Sequence, residues 1–248
     1  MSLLEIMQTR TAVGTFSKTT DSAFVEAAGL AGLDFIILDT EHGPVSLETL
    51  HHHVRASRLT PMSAIIRVKG VDAHAIGSAL DTGAAGVQVP NINSAAQAKA
   101  AVDAARFYPT GNRGVCRFVR AAHFGSQDKT EYFTQANKAV VILQVEGLQG
   151  VQNLDEILNI PGFDVLFIGP YDLSQSVGKP GEVNAPEVQA LMQEIAQKAS
   201  AKGKLLGAFC DTPENAKLLR AQGFQYLAYS VDVNIYLEKI KDIKEYLS

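Results

Sequence analysis

The feature that most constrains this chain is an eightfold alternation of short apolar runs with longer segments of helical period. The runs fall at residues 12–16, 35–39, 64–67, 86–90, 140–145, 165–168, 205–209 and 226–230. Their interiors are nearly continuous in Val, Ile, Leu and Phe, as in parallel strands covered on both faces. Between them lie amphipathic stretches at 21–31, 46–57, 73–82, 94–106, 148–158, 186–201, 213–222 and 233–246. Asp21 and Ser94 are suitable N-caps, and Pro186 and Pro213 suit a first helical turn. Gly32, Gly83, Gly203 and Gly223 fit helix ends. The pattern predicts an α/β fold of the TIM (β/α)8 barrel type, one domain over residues 1–248, near the ~250 residues typical of that fold. An open doubly wound sheet is the alternative. One stretch breaks the rhythm: residues 107–138 are too long for a simple connection and hold a helix around 129–137.

A hydrophobic content of 46% against 19% charged residues supplies a sizeable core. The net charge of −4 argues against nucleic-acid binding and gives no attraction to an anionic membrane. Cys116 and Cys210 make neither a disulfide scaffold nor a zinc motif, and reduced thiols are expected. No apolar leader opens the chain, and no uncharged apolar run approaches ~18 residues. A soluble cytoplasmic protein is expected.

Several strands end abruptly in ionisable groups: Phe35-Ile36-Ile37-Leu38-Asp39-Thr40-Glu41-His42, Val140 to Glu146, and Val165 to Asp172. Side chains alternate along a strand, so Asp39 and Glu41 share one face, as do Gln144 and Glu146. In a barrel all strand exits meet on one rim. Glu146 and Asp172 suit a hard divalent cation such as Mg2+ or Mn2+. Their alternatives are an ion pair for Glu146 and a helix cap for Asp172. Arg67, ending the third strand, can stabilise a developing enolate or pair with Asp39 or Glu41. His42 can move a proton, with Asp81 holding its ring, or be a loop histidine. His51, His52 and His53 point around a helix and should not converge. Arg113, Arg117 and Arg120 crowd the insertion, where they can meet an anionic substrate, bridge subunits or face solvent. No phosphate-loop or dinucleotide fingerprint is present.

Taken together, these residues resemble the HpcH/HpaI family of metal-dependent pyruvate aldolases. The resemblance rests on Leu38-Asp39-Thr40-Glu41-His42-Gly43-Pro44, Ile66-Arg67-Val68, Gly111-Asn112-Arg113-Gly114, Leu143-Gln144-Val145-Glu146 and Phe167-Ile168-Gly169-Pro170-Tyr171-Asp172-Leu173-Ser174. It implies Glu146 and Asp172 as ligands of Mg2+, Mn2+ or Co2+, with Gln144 and Arg67 on bound pyruvate. It implies a proton-transfer pair of His42 and Asp81, and a carboxylate site on the backbone around Gly169, Pro170, Tyr171 and Asp172. It also implies a homohexamer of dimers that exchange the C-terminal helix, 233–246. Phe16 stands where familiar members place a Trp near the substrate. Cys116, Arg117 and the run Ser230-Val231-Asp232-Val233-Asn234 also depart from the family's habit, which puts the acceptor aldehyde in question.

The reaction implied is retro-aldol cleavage of a 4-hydroxy-2-oxo acid, such as 4-hydroxy-2-oxoheptanedioate or a 2-keto-3-deoxy sugar acid, to pyruvate and an aldehyde. The competing readings are a Schiff-base aldolase using Lys69, a malyl-type thioester lyase, and a non-catalytic barrel that binds a 2-oxo acid.

Overall fold

A computed structural model describes residues 1–248. The strands are β1 (Ala12–Ser17), β2 (Phe35–Asp39), β3 (Ser63–Arg67), β4 (Gly86–Val89), β5 (Val140–Val145), β6 (Val165–Ile168), β7 (Leu205–Cys210) and β8 (Tyr226–Val231). All are parallel and follow chain order around a closed barrel, with β8 returning to β1. The closed barrel is therefore the outcome, and the open sheet is excluded.

The helices are α1 (Leu3–Thr9), α2 (Ser22–Leu30), α3 (Leu47–Ser57), α4 (Ala73–Asp81), α5 (Ala95–Ala105), α6 (Lys129–Ala136), α7 (Leu148–Gln152), α8 (Leu154–Leu158), α9 (Pro170–Ser176), α10 (Pro186–Ala201), α11 (Pro213–Ala221) and α12 (Asp232–Leu247). Asp21 and Ser94 cap α2 and α5 through their side chains. The single helix expected at 148–158 is broken at Asn153 into α7 and α8. No helix is long and apolar enough to cross a membrane.

Strand alternation divides the core in two. Outward side chains such as Ile36, Leu38, Ile66 and Leu143 pack against the helices. Inward ones, including Phe35, Ile37, Ile65, Ile142, Val165, Phe167 and Tyr226, fill the barrel. Leu3 and Met7 of α1 join that inner cluster, so the first helix plugs the barrel at its N-terminal end. Its start carries a capping box between Ser2 and Glu5.

The β1–β8 seam is irregular. Pairing shifts between Gly14 and Phe16, and Ser230 lies in the left-handed region at φ 52°. The extra residue is a bulge that re-aims the exit of β8. It delivers Asp232 to the loop after β1, where its carboxylate accepts from Ser17 Oγ at 2.8 Å and from the Lys18 amide at 3.0 Å.

Candidate active site

The inward positions at the C-terminal strand ends are polar. Asp39, Arg67, Gln88 and Gln144 are all buried and lie one pleat step beyond inward apolar residues. Arg67 and Gln144 line a cavity of about 160 Å³ together with Phe16, Lys18, Glu146, Gly169, Tyr171 and Asp172, while Asp39 and Gln88 stand behind them. Asp172 comes from the first turn of α9, which Gly169 opens and Pro170 begins.

Arg67 occupies a fully specified position. Its Nε and Nη2 donate to Asp39 Oδ1 and Oδ2 at 2.9 and 2.7 Å, and its Nη1 lies 3.1 Å from Glu41 Oε2. The guanidinium stands 4.7 Å over the Phe16 ring. Burial pushes Asp39 upward, but Arg67 and then Lys18, whose Nζ is 3.0 Å away, hold its carboxyl at about 2. Glu41 moves the other way: burial raises it, Arg67 and His42 oppose that, and Asp39 and Asp172 add to the rise. The ion pairing and the place in the cavity, alternatives on sequence grounds, coexist in one residue.

Three side-chain amides and acids form a chain. Gln88 Nε2 donates to Gln144 Oε1 at 2.6 Å, and the Gln144 amide donates to Glu146 Oε2. The Asn91 backbone N–H donates to Glu146 Oε1 at 2.9 Å. Gly169 is required here: a side chain on it would begin 2.5 Å from Glu146 Oε2. Burial pushes Glu146 upward, the Gln144 and Asn91 hydrogen bonds pull down, and Asp172 and Glu41 push up again, leaving it at about 7. A cation beside Glu146 and Asp172 would relieve that crowding of negative charge. The donors are carboxylate oxygens, with no thiol and no third His, Cys, Asp or Glu converging on them. That set fits a hard divalent ion that keeps positions open for water and substrate.

Not every expected residue arrives. His42 sits at the rim, its side chain 63% exposed and its Nε2 3.9 Å from Glu41 Oε2. Asp81 does not reach it within one chain. Asp81 ends α4, and barrel helices run back toward the strand starts, so it lies at the opposite mouth, where Arg113 Nη2 donates to it at 2.5 Å. Arg117 donates to the carbonyls of Gly125 and Gln127, and Arg120 to that of Thr82; these arginines tie down the insertion rather than line the cavity. Lys69 borders a separate hollow with Val45, Leu47 and His74, apart from the cavity that holds Glu146 and Asp172. His53 Nε2 is 3.0 Å from the Thr19 carbonyl and His52 faces Arg55, so the three histidines diverge as expected.

Sequence reasoning missed Lys18, Gln88, Asn91 and Asp232. Gln88 is the one polar residue inside the run Gly86-Val87-Gln88-Val89, a signal available from alternation. Lys18 and Asp232 meet only because of the β8 bulge, which leaves no mark in the pattern.

The model of the HpcH/HpaI aldolase/citrate lyase family matches residues 12–238. The chain is 34% identical over 232 residues to a 2-dehydro-3,6-dideoxy-6-sulfogluconate aldolase of Pseudomonas putida, covering 93% of this chain and 90% of that one. It is 36% identical over 232 residues to a 2-keto-3-deoxy-L-rhamnonate aldolase of Salmonella paratyphi B, covering 93% and 86%. Among solved structures, an HpcH/HpaI aldolase/citrate lyase family protein from Burkholderia cenocepacia J2315 superposes with a TM-score of 0.93 at 30% identity, over 99% of both chains.

Proposed function

The chain belongs to the HpcH/HpaI aldolase/citrate lyase family, and from that premise we propose that it cleaves a 2-keto-3-deoxy sugar acid, or a like 4-hydroxy-2-oxo acid, to pyruvate and an aldehyde. It is a carbon–carbon lyase of the aldolase type. The observation that carries the substrate reading is the meeting of Glu146, Asp172, Arg67 and Gln144, from the exits of three strands, β3, β5 and β6, on one small cavity.

Glu146 and Asp172 would hold a divalent cation, Mg2+, Mn2+ or Co2+, whose positive charge polarises the 2-keto group of a bound substrate. Arg67 and the Gln144 amide face the same space and orient the keto oxygen. The unpaired N–H groups that open α9, at Tyr171 and Asp172, receive the substrate carboxylate. Phe16 and Phe167 wall off water. Cleavage takes the proton from the C4 hydroxyl, breaks C3–C4 and releases the aldehyde. The bonding pair passes to the three-carbon fragment as an enolate, whose oxygen the permanent charge of Arg67 stabilises. Protonation at C3 then yields pyruvate. His42, at the rim beside Glu41, carries the proton between solvent and site through Nε2.

The assembly reading rests on α12. None of its residues is buried, and Val233, Tyr236, Leu237, Ile240 and Ile243 make an apolar stripe at helical spacing. A second copy that accepts this helix, within a homohexamer, covers the stripe; light scattering should return six times the 26.6-kDa chain mass.

The deciding experiment is a panel of 4-hydroxy-2-oxo acids with coupled pyruvate detection, run with and without a chelator. We expect pyruvate release that a chelator abolishes and added Mg2+, Mn2+ or Co2+ restores. Full turnover in exhaustively chelated protein defeats the reading.

A further inference from the structure

The opposite mouth of the barrel holds a second, larger cavity that the reaction does not use. Its volume is about 360 Å³. It lies between the ends of α3 and α4, the first residues of β3 and β4, and α6 of the insertion, with Arg58, Arg113 and Lys138 in its lining. That volume corresponds to roughly a dozen waters at about 30 Å³ each, room for a small metabolite.

Two features of its chemistry point to an anion. The first is an excess of fixed positive charge. Arg58 Nη2 donates to the Gly83 carbonyl at 2.7 Å and Arg120 Nη1 to the neighbouring Thr82 carbonyl at 3.2 Å. The two guanidinium groups crowd the same spot: a side chain on Gly83 would begin 2.9 Å from one and 3.2 Å from the other. Capping a helix end accounts for part of this, but each helix end offers only about half a negative charge. The lining holds no carboxylate, and Asp81 beside it is already held by Arg113. Arg58, Arg113, Arg120 and Lys138 together therefore leave roughly two positive charges uncompensated. Arg120 registers the crowding: burial lowers its pKa first, then the charges of Arg58 and Arg55.

The second feature is an unmet donor. The Arg113 side chain is 2% exposed and lines the cavity, yet its Nε–H has no acceptor. Buried donors almost always find a partner, and leaving one unpaired is costly. Part of the lining is apolar, with Val54, Met62, Leu80 and Tyr132, and Ser57, Ser63, Gln127 and Gln135 add neutral polar groups.

We propose that this cavity is a binding site for a small metabolite bearing a multiply charged oxyanion, phosphate or carboxylate, with its charged end on Arg58 and Arg113, flanked by Arg120, and its carbon end on the apolar part of the wall. The site lies at the strand starts, remote from the carboxylates that carry the chemistry.

The test is calorimetric titration of the full chain with inorganic phosphate and, separately, with citrate, at ionic strength held constant by chloride. We expect saturable binding of one equivalent per chain by at least one of the two; which one binds tells a phosphate site from a carboxylate site. Arg58→Gln and Arg120→Gln should each raise its Kd at least tenfold while the circular dichroism spectrum and Tm of the free protein stay close to those of the parent. Lys18→Met, which removes a cation from the other cavity, should leave the Kd unchanged. A smaller response to either arginine substitution, loss of binding in Lys18→Met, or no saturable binding of either anion overturns the assignment.

Discussion

Along β3 and β5 the barrel interior changes character within one step of the pleat. Ile65 is followed on the same face by Arg67, and Ile142 by Gln144. Burial hardly changes across that step, from 0% exposed at Ile65 to 8% at Arg67. Its energetic meaning reverses. Below the step, removing side chains from water is the driving force, at about 25 cal/mol per Å² of apolar surface. Above it, the same dryness is a cost that only complete pairing offsets. The upper layer meets most of that demand through the Arg67–Asp39 fork and the Gln88–Gln144–Glu146 chain, with Gln88 Oε1 left unpaired. Glu146 is the place where the pairing leaves an excess of negative charge, and it is where a cation is called for.

The sharpest break between the two layers is chemical. Glu146→Gln and Asp172→Asn keep side-chain volume and remove the charges that would hold the metal. Each should lower kcat/KM by about 10³-fold or more, the upper range for losing one electrostatic stabiliser, while Tm holds or rises. Activity within tenfold of the parent for either variant would remove both from the site. The next effect separates the layers on stability and activity at once. Ile65→Ala should cost about 2–5 kcal/mol of folding free energy and leave the activity of the folded fraction near the parent's. Arg67→Ala should cost a similar amount, about 3–5 kcal/mol, because it takes the main partner from buried Asp39 and leaves Lys18 as its one cation. It should also cost activity at least about 10²-fold. Urea unfolding together with steady-state kinetics distinguishes them. Equal activity losses would mean that the step along β3 is not a functional boundary.

The layers were unequally legible in the sequence. Apolar runs located all eight strands, since fully buried parallel strands need no alternation and show none. The shared faces of Asp39 with Glu41 and of Gln144 with Glu146 followed from period-2 alternation, and Arg67 from its place at the end of the third apolar run. Asp81 does not meet His42 within one chain, because a residue ending a helix lies at the mouth opposite one ending a strand. Helix α1 went unnoticed although Ser2 and Glu5 form a capping box, since seven residues carry too little periodicity to register. The place of Lys18 depends on the bulge at Ser230, a backbone event with no compositional trace.

A third difference is in pH dependence. The folded protein holds Asp39 at about 2 against an ordinary 3.8. A carboxyl depressed on folding adds stability above its unfolded pKa and loses it as pH falls through the folded value. The shift is worth about 2 kcal/mol, present at neutral pH and fading between roughly pH 4 and pH 2. Thermal unfolding of the parent and Asp39→Asn should therefore converge across that window. A gap that stays constant from pH 5 to pH 2 would mean that Asp39 is not the charged partner of Arg67.

The smallest effect tests whether the upper layer is tuned for function rather than for stability. Gln88 donates one hydrogen bond to Gln144, and its own Oε1 is buried without a partner. Gln88→Met removes both. The lost bond costs about 0.5–1.5 kcal/mol, while removing an unpaired buried acceptor returns about 1–3 kcal/mol. Folding stability should therefore hold or rise slightly. Activity should move the other way. With no donor on its Oε1, the Gln144 amide is free to turn away from Glu146 and from the substrate. A fall of five- to tenfold in kcat/KM, about 1–1.4 kcal/mol, is expected. The comparison within the lower layer is Ile142→Val, where about 0.5–1.5 kcal/mol of stability should go and activity should not. If Gln88→Met loses more than about 2 kcal/mol of stability, its amide holds the barrel together, and the boundary between the layers lies one residue higher on β4 than the geometry places it.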